Sequence, residues 1–186
     1  MEDTAAQFDI IAQQCLEVFS KKALDYGTAW RILRTPSMTD QIYIKAQRIR
    51  SIQQKGEAKV AEGIIPEFIG IVNYSVMALI QLEVGVAENA EQMVMDPTEA
   101  ANLYKKYLKA AKDLMLNKNH DYDEAWRQMR ISSLDDIILM KLFRIKSIED
   151  HQGNTLVSEG LDANYYDIIN YAMFSLIRLI INKEKQ

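Results

Sequence analysis

Apolar residues recur at the spacing of an α-helix through most of this chain. Between Phe8 and Phe19, for example, apolar side chains stand three or four positions apart, as one buried helix face requires. Pro36 is expected to end a short helix, with Ser37 or Thr39 capping the next one. The pattern predicts helices at 4–22, 28–33, 38–54, 63–84, 98–117, 134–150 and 161–182. The sequence therefore predicts an all-α fold.

One stretch of the chain occurs twice. DYGTAWR at 25–31 returns as DYDEAWR at 121–127, 96 residues later, and these stretches hold both tryptophans, Trp30 and Trp126. Polar residues match along the rest of both halves, which core patterning alone would not produce. These matches include Lys22/Lys118, Asp40/Asp136, Lys45/Lys141, Arg48/Arg144 and Asn73/Asn170.

The matches predict a tandem duplication of a three-to-four-helix module. The first repeat is expected at 1–89 and the second at 90–186. We expect the repeats to pack as one helical bundle about a pseudo-two-fold axis, as an internal dimer. Further association into homo-oligomers stays open.

Composition excludes several classes of protein. The formal net charge is −4, so general nucleic-acid binding is not expected. The single cysteine, Cys15, excludes an internal disulfide, and its apolar helical surroundings predict a buried thiol. No signal peptide and no unbroken apolar run of membrane-helix length is visible. A cytoplasmic protein without a membrane partner is expected.

The last helix of the second repeat carries a polar face. Glu159, Asp167 and Asn170 stand eight and eleven positions apart, which places them on one side of a helix. Such oxygen ligands suit Mg²⁺ or Mn²⁺. The first repeat keeps Glu62 and Asn73 but has Gly70 in place of the aspartate. Alternatively, Glu62 and Glu159 are acids that favour a helix start.

Basic residues gather in the middle helix of each repeat and near the repeated turn. Lys45 and Arg48, like Lys141 and Arg144, are three positions apart and share a helix face. Further basic residues lie near the turn at Lys22, Arg31, Lys118 and Arg127. Arginine and lysine beside metal-binding carboxylates is the arrangement that a nucleotide polyphosphate needs. The alternative is internal ion pairing, such as Arg48 with Glu62 or Arg144 with Asp167.

The repeated turn itself allows two interpretations. Asp25 and Asp121 would cap the short helix while Trp30 and Trp126 plug the module, or the tryptophans would stack on a base. His120 and His151 have no counterpart in the other half, so surface positions are expected for them.

These motifs resemble a known family over nearly the whole chain. Lys-x-x-Asp-Tyr-Gly-x-x-Trp, Lys-x-x-Arg-Ile and Glu-Gly-x(9)-Asn-Tyr are similar to the nucleotide modification associated domain 1 family. Its last-helix pattern places a glutamate at Glu62 and Glu159 and an asparagine at Asn73 and Asn170. Of its two aspartates, one falls on Asp167 and Gly70, and the other on Ala163 and Pro66.

That pattern is similar in turn to MazG-like all-α nucleoside triphosphate pyrophosphohydrolases. The similarity implies a (deoxy)nucleotide ligand, bound Mg²⁺ and cleavage between the α and β phosphates. Glu159, Asp167 and Glu62 would then be catalytic, with Asp121 or Asp136 as further metal ligands. Lys141, Arg144 and Arg127 would hold the phosphates. The alternative is a non-catalytic nucleotide- or protein-binding module with degenerate acidic sites.

Overall fold

The computed structural model describes residues 3–56, 63–154 and 159–183. Within these ranges the chain forms helices and turns but no strand, which confirms the all-α class. The helices are α1 (Thr4–Tyr26), α2 (Thr35–Lys55), α3 (Ile65–Val84), α4 (Ala90–Met93), α5 (Pro97–Tyr122), α6 (Ile131–Asp150) and α7 (Leu161–Leu176). The 3-10 turns at Ala29–Ile32 and Ala125–Gln128 precede α2 and α6, and a π-turn at Ile177–Ile181 continues α7.

The helix boundaries correct several predicted starts. Asp3 caps α1, because its side chain accepts hydrogen bonds from the backbone N–H groups of Ala5 and Ala6. The predicted break after the short helix occurs, but at Leu33 and Arg34, before Pro36. Pro36 lies in the first turn of α2, where its missing N–H leaves no helical bond unmade. Ser37 and Thr39 consequently lie inside α2 and do not cap it.

The order of elements occurs twice, with α4 in the link between the copies. The helices of one repeat pack on their counterparts: α1 on α5, α2 on α6 and α3 on α7. Matching ion pairs cross between α2 and α6, from Asp40 to Lys146 at 2.8 Å and from Asp136 to Arg50 at 3.6 Å. Because the two acids are counterparts and the two bases are counterparts, the repeats pack as a two-fold dimer does.

The centre of the bundle is the pair α3 and α7. Most residues of both helices are buried, including the polar residues Asn73, Gln81 and Asn170. By length and composition α3 could also cross a membrane, but 67% of its most apolar window is buried within the protein. A core helix of a bundle has the same character.

One carboxyl group is buried in α6 without a partner. Asp135 has no solvent exposure, and neither of its oxygens has a hydrogen-bond partner among the described residues. Its counterpart in the first repeat is Thr39, whose hydroxyl lies 2.8 Å from Oε1 of Glu149 and 2.6 Å from the hydroxyl of Tyr165. Burial, and then the charge of Asp136, raises the pKa of Asp135 to about 8. The folded protein therefore keeps this group protonated at neutral pH.

We expect Asp135→Asn to remove a pH dependence of stability. The pKa is raised in the folded state, so the folded protein binds more protons than the unfolded chain between about pH 4 and 8. In that window the free energy of unfolding of the parent falls as pH rises, by about 1.4 kcal/mol per unit at most. Asparagine does not titrate, so the free energy of unfolding of the variant rises relative to that of the parent as pH approaches 8.

Urea unfolding of both proteins at several pH values between 5 and 8.5 measures the effect. Asp113→Asn, which changes an exposed carboxylate of α5, serves as the control and should follow the parent. If the free energies of unfolding of the parent and of Asp135→Asn change with pH in the same way, the carboxyl group does not titrate in this window.

Candidate functional site

Each repeat encloses a cavity between its 3-10 turn and the flanking helices. The first cavity measures about 280 Å³ and the second about 260 Å³. Nine of the ten residues that line the first cavity have counterparts that line the second. The identical pairs are Lys22/Lys118, Tyr26/Tyr122, Ala29/Ala125, Trp30/Trp126 and Tyr74/Tyr171. The duplication has therefore kept one cavity in each copy.

The backbone at the end of α1 and α5 places these side chains around one space. The long helix supplies the lysine and the first tyrosine in its last turns, and the chain then reverses through a left-handed residue. In the first repeat this residue is Gly27, at φ 62°, and in the second it is Asp123, at φ 47°. After this reversal the tryptophan of the 3-10 turn lines the same cavity as the tyrosine of α3 or α7.

The aromatic side chains differ in exposure. Trp126 is 5% exposed and stacks on Phe174, with ring centroids 4.3 Å apart. Its Nε1 is buried without an acceptor among the described residues. Tyr26 and Tyr122, in contrast, are 72% and 71% exposed at the rims of their cavities. Core packing does not require an exposed tyrosine at the same place in both repeats.

Asp167 and two lysines form an ion triad, of which Asp167 and Lys118 line the second cavity. Oδ1 of Asp167 accepts from Lys118 at 2.7 Å, and Oδ2 accepts from Lys141 at 2.6 Å. Burial acts to raise the pKa of Asp167, but hydrogen bonds and charge from both lysines hold that pKa below its usual value. Burial acts to lower the pKa of Lys118, but the hydrogen bond and charge of Asp167, with the charge of Glu159, raise it overall.

The first repeat arranges the same lysines differently. Gly70 replaces the aspartate, and a Cβ atom there would lie 2.6 Å from Cε of Lys45. Lys45 instead approaches Glu67, at 3.6 Å, and Arg48 bonds to the same carboxylate. The acid therefore stands one helical turn earlier than in the second repeat. Lys22 is exposed and makes no ion pair within the described part of the chain.

The two predicted asparagines serve the fold. Asn73 donates to the backbone oxygen of Cys15 at 3.2 Å, and Asn170 donates to that of Ala111 at 3.0 Å, which is the counterpart position. Oδ1 of Asn73 also accepts from the hydroxyl of Tyr104 at 2.6 Å. At the position matching Tyr104 the first repeat has Phe8, and Oδ1 of Asn170 has no partner among the described residues. These amides fasten α3 to α1 and α7 to α5.

The predicted arginines are also engaged within the protein. Arg31 is 5% exposed and donates to Gln81 and to the backbone oxygen of Gly85. Arg127 donates to Glu124 at 2.5 Å and to Gln7 at 2.8 Å. The side-chain contacts of Arg144 lie on its own helix, where it approaches the sulfur of Met140. The alternative of internal ion pairing is thus seen, but with partners other than those predicted.

The predicted metal ligands do not form a group of three in the described part of the chain. Among residues 3–56, 63–154 and 159–183, no three His, Cys, Asp or Glu side chains gather as metal ligands do. Glu159 is exposed, Asp121 lies beside His120, and Asp136 pairs with Arg50. Both oxygens of Asp167 accept from lysines. The described residues do not fit a Mg²⁺ site, and Glu62 lies outside them.

The structure also shows functional candidates that sequence reasoning missed. Glu67 was not recognised as the acid of the first repeat, and no spacing signal could have revealed a partner displaced by one turn. Tyr26, Tyr122, Tyr74 and Tyr171 were not predicted as site residues either. Their matching positions in the two halves were the available signal.

Comparison with known proteins gives one match. The family model described as nucleotide modification associated domain 1 matches residues 22–82 and 118–179, about two thirds of the chain. Its two segments fall one in each repeat, in agreement with two copies. Neither the curated proteins nor the solved structures gave a match.

We expect Tyr104→Phe to destabilise the protein by about 1 to 3 kcal/mol, because Oδ1 of Asn73 would be left buried without a donor. The reverse change in the other repeat, Phe8→Tyr, places a hydroxyl at the counterpart position and should stabilise by about 1 kcal/mol. Urea unfolding at pH 7 measures both. Equal losses from the two variants would contradict the assigned relation between the repeats.

We expect Asp167→Asn to cost about 3 kcal/mol at pH 7, because two ammonium groups would lose their shared carboxylate. The pKa of Asp167 is lowered in the folded state. The contribution of this carboxylate to the free energy of unfolding is therefore present above its unfolded pKa near 4. It is lost as pH falls through its pKa in the folded state.

Urea unfolding at pH 7 and at pH 3 tests this expectation. Asp136→Asn is the matched control, since its pair with Arg50 is exposed and should contribute at most about 1 kcal/mol. A loss at pH 3 as large as that at pH 7 would refute the ionic role of Asp167.

Proposed function

Because this chain belongs to the nucleotide modification associated domain 1 family, we propose that it binds a (deoxy)nucleotide in the two repeated cavities. The base lies against the rim tyrosine and the edge of the tryptophan, and the lysine at the rim faces the phosphate end. Binding does not need a metal ion, and hydrolysis is not part of the proposal.

The observation that carries the proposal is the exposed tyrosine repeated beside a lysine and a tryptophan. Tyr122, Lys118 and Trp126 line one cavity, and their three counterparts line the other. A flat aromatic surface with a cation beside it suits a base and its phosphate. Trp126 also has a buried N–H without an acceptor among the described residues, and a nucleobase offers acceptors.

The size of each cavity supports a ligand of this class. Volumes near 260 and 280 Å³ lie just below the usual range for small-molecule sites, roughly 300–1,000 Å³, and suit a base or nucleoside with the phosphate outside. The lysines remain available for a phosphate oxygen. The side chain of Lys118 is 48% exposed and uses one of its three N–H groups on Asp167.

The two tryptophans make each cavity visible on its own. In Trp30→Phe the remaining fluorescence reports the second cavity, and in Trp126→Phe it reports the first. Each variant is titrated with nucleosides, nucleoside monophosphates and nucleoside triphosphates, in EDTA and in Mg²⁺, with ribose 5-phosphate as the ligand lacking a base. Pyrophosphate release is measured alongside.

We expect saturable quenching by nucleotides in EDTA and little response to ribose 5-phosphate. Tyr122→Ala should weaken binding at the second cavity about tenfold, as stacking on an aromatic side chain contributes roughly 1–3 kcal/mol. Phe143→Ala removes an aromatic ring of similar exposure from α6, outside the cavities, and should change nothing. No response to any nucleotide would refute the proposal. Mg²⁺-dependent pyrophosphate release that Asp167→Asn abolishes would replace it by the hydrolase interpretation.

A further inference from the structure

The two cavities differ at one position that decides their charge. In the second repeat the carboxylate of Asp167 lies between Lys118 and Lys141. In the first repeat the counterparts of those lysines are Lys22 and Lys45, and the counterpart of the aspartate is Gly70. The first repeat therefore keeps both ammonium groups without the carboxylate that joins them in the second.

The space of the missing carboxylate is held by a movable side chain. A Cβ atom on Gly70 would meet Cε of Lys45 at 2.6 Å and its Nζ at 3.1 Å, so the end of this lysine lies where an aspartate would begin. Such a side-chain end shifts at little cost. No backbone atom is among the three nearest neighbours of that position.

Lys45 is also held loosely. Its Nζ lies 3.6 Å from Glu67, whereas Lys141 lies 2.6 Å from Asp167. Glu67 keeps its bond to Arg48 when Lys45 turns away, so no buried carboxylate is left unpaired. A lysine at this distance gains more from a close oxyanion than it loses from Glu67.

Lys22 supplies the second ammonium group. It lines the first cavity beside Tyr26 and Trp30 and makes no ion pair with a described residue. Tyr74, another lining residue, has its ring 5.8 Å from Nζ of Lys45, which connects the cavity with the second lysine. The first cavity thus combines an aromatic wall with one lysine in its lining, and a second lysine stands next to the lining residue Tyr74.

We propose that the first cavity is an anion site. A phosphate or carboxylate of the ligand takes the place between Lys22 and Lys45 that the carboxylate of Asp167 takes in the second repeat. In the second cavity Asp167 offsets the charge of both lysines, so an anion is expected to bind there more weakly than in the first cavity. This inference deepens the proposed function for the first cavity and rests on it for the aromatic part of the ligand. The anion itself is tested separately.

The test uses Trp126→Phe, in which Trp30 is the only tryptophan and reports the first cavity. The probes are inorganic phosphate and acetate, which separate the two sources of oxyanion, followed by a nucleoside and its 5′-monophosphate. We expect saturable binding of at least one inorganic probe and tighter binding of the monophosphate than of the nucleoside. Lys22→Gln should weaken anion binding about tenfold or more, as loss of a charge-assisted hydrogen bond does.

Two further variants make the test specific. Lys21→Gln removes an exposed positive charge next in sequence, outside the cavity lining, and should leave binding unchanged. Gly70→Asp installs the internal carboxylate and should abolish anion binding. Conversely, Asp167→Gly, studied with Trp30→Phe, should gain phosphate binding that Trp126 reports and should melt at a higher temperature when phosphate is added.

Unchanged anion binding in Lys22→Gln, or an equal loss in Lys21→Gln, would overturn the inference, and so would the absence of any anion binding. Circular dichroism shows whether Gly70→Asp is folded. If this variant is unfolded, anion binding by Lys22→Gln alone tests the inference. Nucleoside binding without anion binding would refute this inference and leave the proposed function standing. Anion binding without any selectivity for nucleosides or nucleotides would support this inference and refute the proposed function.

Discussion

The packing of α3 against α7 is the constraint on which the rest of the structure depends. Each of these helices is buried around most of its circumference, so each needs cover from the other and from both long helices, α1 and α5. Neither repeat can provide that cover alone, because its partner helix in the centre belongs to the other repeat. The duplication is therefore a requirement of burial, and the two modules form one core.

Burying these two helices also buries their polar residues, which then need partners. Asn73 and Asn170 meet this requirement by bonding to the backbone of α1 and α5, and Asp167 meets it with two lysines. Where this requirement fails, a buried polar atom has no partner among the described residues, as at Oδ1 of Asn170 in α7 and, in α6, at both oxygens of Asp135. At both positions the counterpart residue in the other repeat, Asn73 or Thr39, is satisfied.

The cavities follow from the same geometry. The 3-10 turn after α1 and α5 folds a tryptophan back toward the central helix, and the tyrosine and lysine of the preceding helix close the space. Because the backbone is repeated, the cavities have similar volumes. Because Gly70 replaces an aspartate, they differ in charge. The two cavities therefore share a shape but not a charge.

The sequence by itself determined the helices and the duplication, since helical period and repeated polar residues are local properties that need no knowledge of packing. Matching positions in the two halves also singled out Lys22, Lys45, Lys118 and Lys141, and the structure places Lys22 and Lys118 in the lining of the two cavities. Only the tertiary structure decided that Glu67 pairs with Arg48 and that Tyr104 bonds to Asn73. It also decided that Asp121 lies beside His120 and Asp136 beside Arg50. These contacts depend on which helix faces meet across the two-fold relation. The burial of α3 and α7 determines which helix faces pack together, and the spacing of residues along the chain does not.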